Sequence, residues 1–417
     1  MYHFESSVAS YCRAFPANFV RAKGSEIFDD KGRSHLDFLS GCGSLNYGHN
    51  DTRLQDALVD YIRADGVTMS LDLHTRAKEA FCDSFRKHIL LPRDMDYKFM
   101  FTGPTGTNAV EAAIKIARKT TGRRNIIAFT NAFHGCSLGS LALTGSRSHR
   151  GAHNPIGDGV TRLPYDGYQG DAVDTADYLA RLLGDPSSGV DAPAAIILET
   201  IQGEGGLNTA SGPWLRKIQT IARQHGALLI VDDIQAGCGR SGAFFSFETM
   251  SVQPDIILLA KALSGFGLPM SLVLLNPEVD TLAPGEHNGT FRGNCHAFVT
   301  ALAALETFWA DGVFEAELDA KVKILTAHLE RIGQRYGLTR KGRGLMQGLA
   351  FDDPQEALAS RQACFERGLI VECCGPHDEV LKLLPPLTAT HAQLLQATQI
   401  IETSVQSILR LQLEEVA

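Results

Sequence analysis

Between Asp255 and Ser271 the chain reads IILLAKALSGFGLPM, with a single charge, Lys261, set among apolar and small residues. The run up to Leu259 has the length and composition of a buried strand, and Ser264-Gly265-Phe266-Gly267-Leu268-Pro269 is loop chemistry. Lys261 therefore stands at a strand's exit. Desolvation disfavours an ammonium ion, and a neutral lysine amine is the form that condenses with a carbonyl. A Schiff-base lysine is one reading; a lysine that snorkels to the surface from a strand end is the other.

Two earlier segments repeat the design. Ala194 to Leu198 (AAIIL) runs into Glu199 and, after Gln202-Gly203, Glu204, while Ala227 to Val231 (ALLIV) runs into Asp232, Asp233 and Gln235. Trp214, Leu215, Ile218, Ile221 and Ala222 lie between them at helical spacing, which makes strand, helix, strand the pattern of a parallel α/β sheet. Such sheets bind ligands at the carboxyl ends of their strands. A carboxylate ending one strand and a lysine ending another suit pyridoxal 5'-phosphate. The lysine holds the aldehyde and moves a proton; Asp232 pairs with the pyridinium nitrogen and keeps the ring an electron sink. Gln235 is placed to hydrogen-bond the ring's phenolic oxygen.

The segment VDDIQAGCGRSG from Val231 to Gly242, followed by Lys261, resembles the class III (ω-type) aminotransferases of pyridoxal phosphate fold type I, and the resemblance covers nearly the whole chain. It implies an α/β fold: a large domain with a mostly parallel sheet flanked by helices, and a small α+β domain. Residues 1–45 are expected to contribute to the small domain, 46–299 to form the large cofactor-binding domain, and 300–417 to form the C-terminal small domain. Thr102 to Asn108 is a Gly/Thr loop opening a helix, an arrangement whose free N–H groups and dipole favour an anion. By resemblance Gly106 and Thr107 grip the cofactor phosphate, and Phe133 of Phe133-His134-Gly135 stacks on the ring. Thr290, in Asn288-Gly289-Thr290-Phe291-Arg292-Gly293-Asn294, is implied to reach the phosphate of a neighbouring subunit, which implies a homodimer or higher homo-oligomer.

Glu204, in Gln202-Gly203-Glu204-Gly205-Gly206, matches the family's switch glutamate, which neutralises a small-domain cation when a diamine binds. Two family arginines that clamp carboxylates are replaced here: Cys136 follows the Phe-His-Gly motif, and Lys382 precedes Leu383-Leu384-Pro385-Pro386. Lys382 is then the partner of Glu204, and a lysine offers a point charge where arginine offers a planar fork. Glu199 and Arg292 complete the candidate substrate-binding set. Tyr11 to Pro16 (YCRAFP), Thr102 to Glu111, Leu263 to Pro269 and Gly289 to Gly293 look like the diaminobutyrate:2-oxoglutarate aminotransferases of ectoine and siderophore pathways. The implied reaction converts L-glutamate and L-aspartate 4-semialdehyde to 2-oxoglutarate and L-2,4-diaminobutyrate, with ping-pong kinetics. The alternatives are an ω-aminotransferase for ornithine, 4-aminobutyrate or acetylornithine, or an aminomutase or racemase of the same fold.

The elements that must position these residues are readable in outline. Strands are expected at Phe99–Phe101, Ile126–Phe129 and Ser271–Leu275 beside the three above, with a hairpin around Asp29-Asp30-Lys31-Gly32. A helix with Leu54, Leu58, Tyr61 and Ile62 on one face follows, and the last third carries a helix near Thr300–Trp309, a long helix to about Tyr336, a strand at Leu345–Phe351, short strands near Leu369–Val371 and Val380–Leu384, and a terminal helix. The glycines at 41, 43 and 48 lack the spacing of a dinucleotide site. The chain has 417 residues, 44% of them apolar, and a net charge of −8 without a long basic run, which argues against a nucleic-acid partner. Nine cysteines without regular spacing read as reduced, cytosolic thiols, and no metal site is expected. The N-terminal stretch lacks a signal-peptide pattern, and Lys261 in the middle of the one long apolar run argues against a membrane span.

Overall fold

The computed structural model describes residues 5–151, 159–170 and 172–415. The first four residues of the N-terminal stretch considered above lie outside this range. Seven strands form the central sheet in the spatial order Lys98–Phe101, Leu272–Leu275, Ile256–Leu259, Leu228–Asp232, Ala195–Leu198, Ile126–Phe129, Val160–Leu163. Leu272–Leu275 runs antiparallel to both neighbours, and the ladders from Ile256–Leu259 to Val160–Leu163 are parallel. Four of these strands, Ile126–Phe129, Ala195–Leu198, Ile256–Leu259 and Leu272–Leu275, are buried at every residue, as a sheet covered on both faces requires. Alternate side chains divide between two cores. Ile126, Ala128, Ile197, Ile230 and Leu258 pack with Ala109, Ala113 and Ile116 of the helix Gly106–Thr121; Ile127, Phe129, Leu198, Val231 and Leu259 join the larger cluster on the other face. The result is the mostly parallel, helix-flanked sheet that fold type I calls for.

A second sheet, antiparallel, has the order Thr339–Arg343, Met346–Ala350, Val380–Leu383, Glu372–Cys374. Helices Val313–Tyr336, Pro354–Glu366 and His391–Glu415 accompany it. The N-terminal strands Phe19–Lys23, Glu26–Asp29 and Ser34–Asp37 form a third sheet whose last strand pairs in parallel with Leu369–Ile370, so the two ends of the chain share a ladder. Buried Arg240 ties the large sheet to this assembly: its guanidinium donates to Leu345 O, Pro385 O and Asn46 Oδ1. Among the described residues no single helix is long and apolar enough to cross a membrane.

The helix Thr52–Arg63 departs from the expected pattern. Only Leu54 is buried on it, while Ile62 is 53% exposed. The residues share a face, but this chain covers it unevenly: Leu54 is buried, Leu58 and Tyr61 are half-buried, and Ile62 is left exposed.

Candidate active site

Asp232 ends its strand, and the chain turns away so that Ile234 N donates to Asp232 Oδ1 at 3.2 Å. The other oxygen, Oδ2, lies 2.7 Å from His134 Nδ1. His134 is fully buried, its own N–H donates to Thr144 Oγ1, and its second ring nitrogen, Nε2, has no partner. Burial opposes an imidazolium, yet the hydrogen bond and charge of Asp232 outweigh it and hold His134 above the ordinary histidine pKa. Sequence reasoning passed over this residue as the middle of a motif kept for its phenylalanine.

Lys261 follows the strand Ile256–Leu259 in a short 3-10 turn, with φ of +48°, a left-handed conformation that costs a non-glycine residue free energy. Its Nζ donates to Cys42 O at 3.0 Å, and Gln235 Nε2 donates to the same oxygen at 3.1 Å. That carbonyl is offered by an unusual stretch: Ser40, Gly41, Cys42 and Gly43 all have positive φ. Gln235 Nε2 also reaches Glu204 Oε1 at 3.2 Å, and its buried Oε1 is unpaired. A Cβ at Gly203 would collide with that oxygen, so a side chain there would displace the Gln235 amide from its place beside Glu204.

The helix Gly106–Thr121 is capped by Thr105, whose side chain accepts from Asn108 N, and it opens toward the same space. Thr107 Oγ1 lies 2.7 Å from Ser137 Oγ and 2.5 Å from Ser140 Oγ, a hydroxyl cluster that the sequence did not single out. Gly135, with φ of +119°, is required here because a Cβ would stand 2.5 Å from Thr107 Oγ1. Glu199 accepts from Phe133 N and Gly203 N, and burial pushes its carboxyl up to about 7.

These elements enclose a cavity of about 180 Å³. Gly106, Thr107, Phe133, Glu199, Glu204, Asp232, Gln235 and Lys261 line it together with His134, Gly135 and Ile234. Lys382 lies behind Glu204. It is fully buried, donates to Gly203 O at 2.9 Å, and pairs with Glu204 Oε1 at 3.0 Å and Glu372 Oε1 at 2.9 Å. Burial alone would weaken the Glu204 carboxylate, but the charges of Lys382 and Lys261 hold it well below the usual range. Thr290 and Arg292 are not among the residues lining this chain's cavity. Thr290 is exposed beside Gly289, which approaches Gly103, and Arg292 pairs with Asp72 at 2.5 Å.

Residues 8–405 match the family described as aminotransferase class-III. The chain belongs to the class III aminotransferases. It is 54% identical over 405 residues, 96% of its length and 98% of the relative's, to a diaminobutyrate--2-oxoglutarate transaminase of Vibrio cholerae. The corresponding protein of Halalkalibacterium halodurans is 50% identical over 97% of this chain and 95% of its own. Among solved structures, an ornithine aminotransferase of Toxoplasma gondii superposes with a TM-score of 0.83 at 26% identity, covering 98% of this chain and 93% of that one.

This aminotransferase is a pyridoxal phosphate-dependent transaminase, and its residues fit that cofactor. An amine, a buried carboxylate backed by a histidine, an aromatic side chain and a helix N-terminus converge on one cavity. Its wall also holds two buried polar atoms without partners, His134 Nε2 and Gln235 Oε1. First-turn N–H groups have no intrahelical acceptor, which leaves those of Gly106 and Thr107 for a phosphate.

Asp233, next to Asp232, faces the other way. Its Oδ2 accepts from Ser246 N, its Oδ1 has no partner, and burial pushes its carboxyl up to about 7. A carboxyl with a raised folded pKa binds its proton more tightly folded than unfolded, so the folded state loses stability as pH rises from about 4 to about 7. Asp233→Asn removes that loss while keeping an acceptor for Ser246. The expected result is a stabilisation about 1–3 kcal/mol larger at pH 8 than at pH 5 in thermal melts; a gain independent of pH would contradict it.

Proposed function

We propose that this transaminase moves the amino group of L-glutamate to carbon 4 of L-aspartate 4-semialdehyde, giving 2-oxoglutarate and L-2,4-diaminobutyrate in a ping-pong cycle. What carries the reading is the likeness, at about half identity and nearly full length, to relatives bearing that activity in their names. The product is the diamine that ectoine and siderophore synthesis consume. Nine cysteines without a disulfide among them support a reducing, cytoplasmic setting.

The residue roles follow from the cavity. When bound, pyridoxal phosphate supplies the aldehyde that carries the amino group and the ring that takes up an electron pair. Lys261 holds it and moves the proton at the reacting carbon. Asp232, oriented by His134, faces the ring nitrogen; Gln235 is assigned to the phenolic oxygen and Phe133 to the ring face. Gly106 and Thr107 take the phosphate, joined by Thr290 of the partner subunit in a homodimer. Glu199, Glu204 and Lys382 serve the substrate end of the site. Arg292, held by Asp72 within its own chain, is assigned to a carboxylate across that interface.

The test is glutamate formation from 2-oxoglutarate by the cofactor-loaded protein, with diaminobutyrate, ornithine and 4-aminobutyrate offered separately. Diaminobutyrate is expected to lead by at least about tenfold in kcat/KM. Another leading donor overturns the substrate but not the chemistry. No glutamate from any donor would favour an aminomutase or racemase.

A further inference from the structure

Glu372, which no local pattern in the chain marks, stands behind the cavity wall as a second carboxylate against Lys382. It reaches the site because Glu372–Cys374 pairs antiparallel with Val380–Leu383, which sets Glu372 directly opposite Lys382. It is buried, pairs with Lys382 through Oε1, and accepts through Oε2 from Tyr11 Oη at 3.1 Å. Tyr11 Oη in turn lies 2.7 Å from Cys42 Sγ, and Cys42 offers the carbonyl that receives Lys261 and Gln235. One network thus runs from the reactive lysine to Glu372.

Lys382 donates to Gly203 O and Glu204 Oε1, and Glu372 Oε1 stands 2.9 Å from its ammonium as a second, charge-paired carboxylate. If Glu204 swings away, Glu372 still neutralises the lysine one to one. Two carboxylates against one ammonium give this end of the site a net charge of −1 while Glu204 is in place. An end built only to hold a substrate carboxylate would be left cationic. This one suits a group bearing both an ammonium and a carboxylate.

Resting on the substrate reading above, we propose that Glu372 determines specificity by receiving the α-ammonium of a diamino acid that reacts at its far amine. Lys382, freed in part by that contact, takes the α-carboxylate. The pair then separates diaminobutyrate from 4-aminobutyrate, which has the same chain length and reacting amine but no α-ammonium.

The experiment compares single turnovers of the cofactor-loaded enzyme with each amine, so that a slow donor is still read. Glu372→Gln is expected to lower kcat/KM for diaminobutyrate about 10- to 100-fold and to leave 4-aminobutyrate unchanged or improved. Tyr11→Phe, at a half-exposed position, removes the hydroxyl that orients Glu372 and is expected to move the same ratio about threefold. It serves as the readout if the glutamine variant does not fold. Equal losses for both amines would make Glu372 a structural support of Lys382 and overturn the proposal, as would an unchanged ratio. A wild-type enzyme that prefers 4-aminobutyrate would instead sink the substrate reading, so the two failures are distinguishable.

Discussion

Lys261→Ala abolishes turnover, by at least about 10³-fold, and ends covalent attachment of pyridoxal phosphate to the chain. The size of the effect follows from how little else in the cavity can replace the amine. Lys382 is fully buried, donates to Gly203 O and Glu204 Oε1, and is paired with the Glu372 carboxylate. His134 is committed to Asp232. Lys261 is held in a left-handed backbone conformation, its Nζ donates to Cys42 O, and it lines the same cavity as Asp232. Borohydride reduction followed by peptide mass spectrometry reads the attachment, and cofactor-loaded thermal melts show that the fold survives. A variant that still carries reducible cofactor, or that turns over near the wild-type rate, removes Lys261 from its role. Added methylamine should restore part of the rate, because the lost group is a small base at a defined place.

The sequence disclosed the site better than its surroundings, for physical reasons visible in single residues. Strands such as Ile126–Phe129 and Ile256–Leu259 are buried on both faces and appear as unbroken apolar runs. Functional residues follow them directly in the chain, so motif and position arrive together. Thr339–Arg343 (TRKGR) is a strand too, but an edge one, only partly buried and charged, and no periodicity marks it. Glu372 and Cys42 escaped for another reason. One comes to the site through strand pairing with Lys382, the other through a left-handed turn at Ser40–Gly43. Neither relation has a local signature. His134 was legible in principle, since it sits inside the Phe-His-Gly motif, and a buried histidine beside a strand-end aspartate is a natural partner for it. The exposed Ile62 face shows the converse error: amphipathic spacing tells which residues share a face, not that the same chain covers it.

Asp232→Asn is expected to keep the cofactor and lose the rate, by about 10²- to 10⁴-fold in the step that removes a proton from the substrate carbon. The carboxylate is fixed from two sides, by Ile234 N on Oδ1 and His134 on Oδ2, and each oxygen keeps a lone pair for a further donor. The amide has the same shape, so Lys261, the helix N-terminus and the cavity walls stay as they are. What disappears is charge, and it disappears twice. Burial already drives His134 toward its neutral form, and without the Asp232 carboxylate the more distant Glu199 is left to oppose it. The buried pair would lose both its negative and its positive member. With α-deuterated glutamate the isotope effect on kcat/KM should rise, because carbon–hydrogen cleavage becomes limiting, while the cofactor's affinity stays within about tenfold. His134→Gln, which leaves the carboxylate in place but removes the ionisable partner, should cost less and shift the pH profile of the same step. A wild-type rate in Asp232→Asn would refute the role of the aspartate at the ring nitrogen, and loss of cofactor binding without a changed isotope effect would reduce it to an anchor.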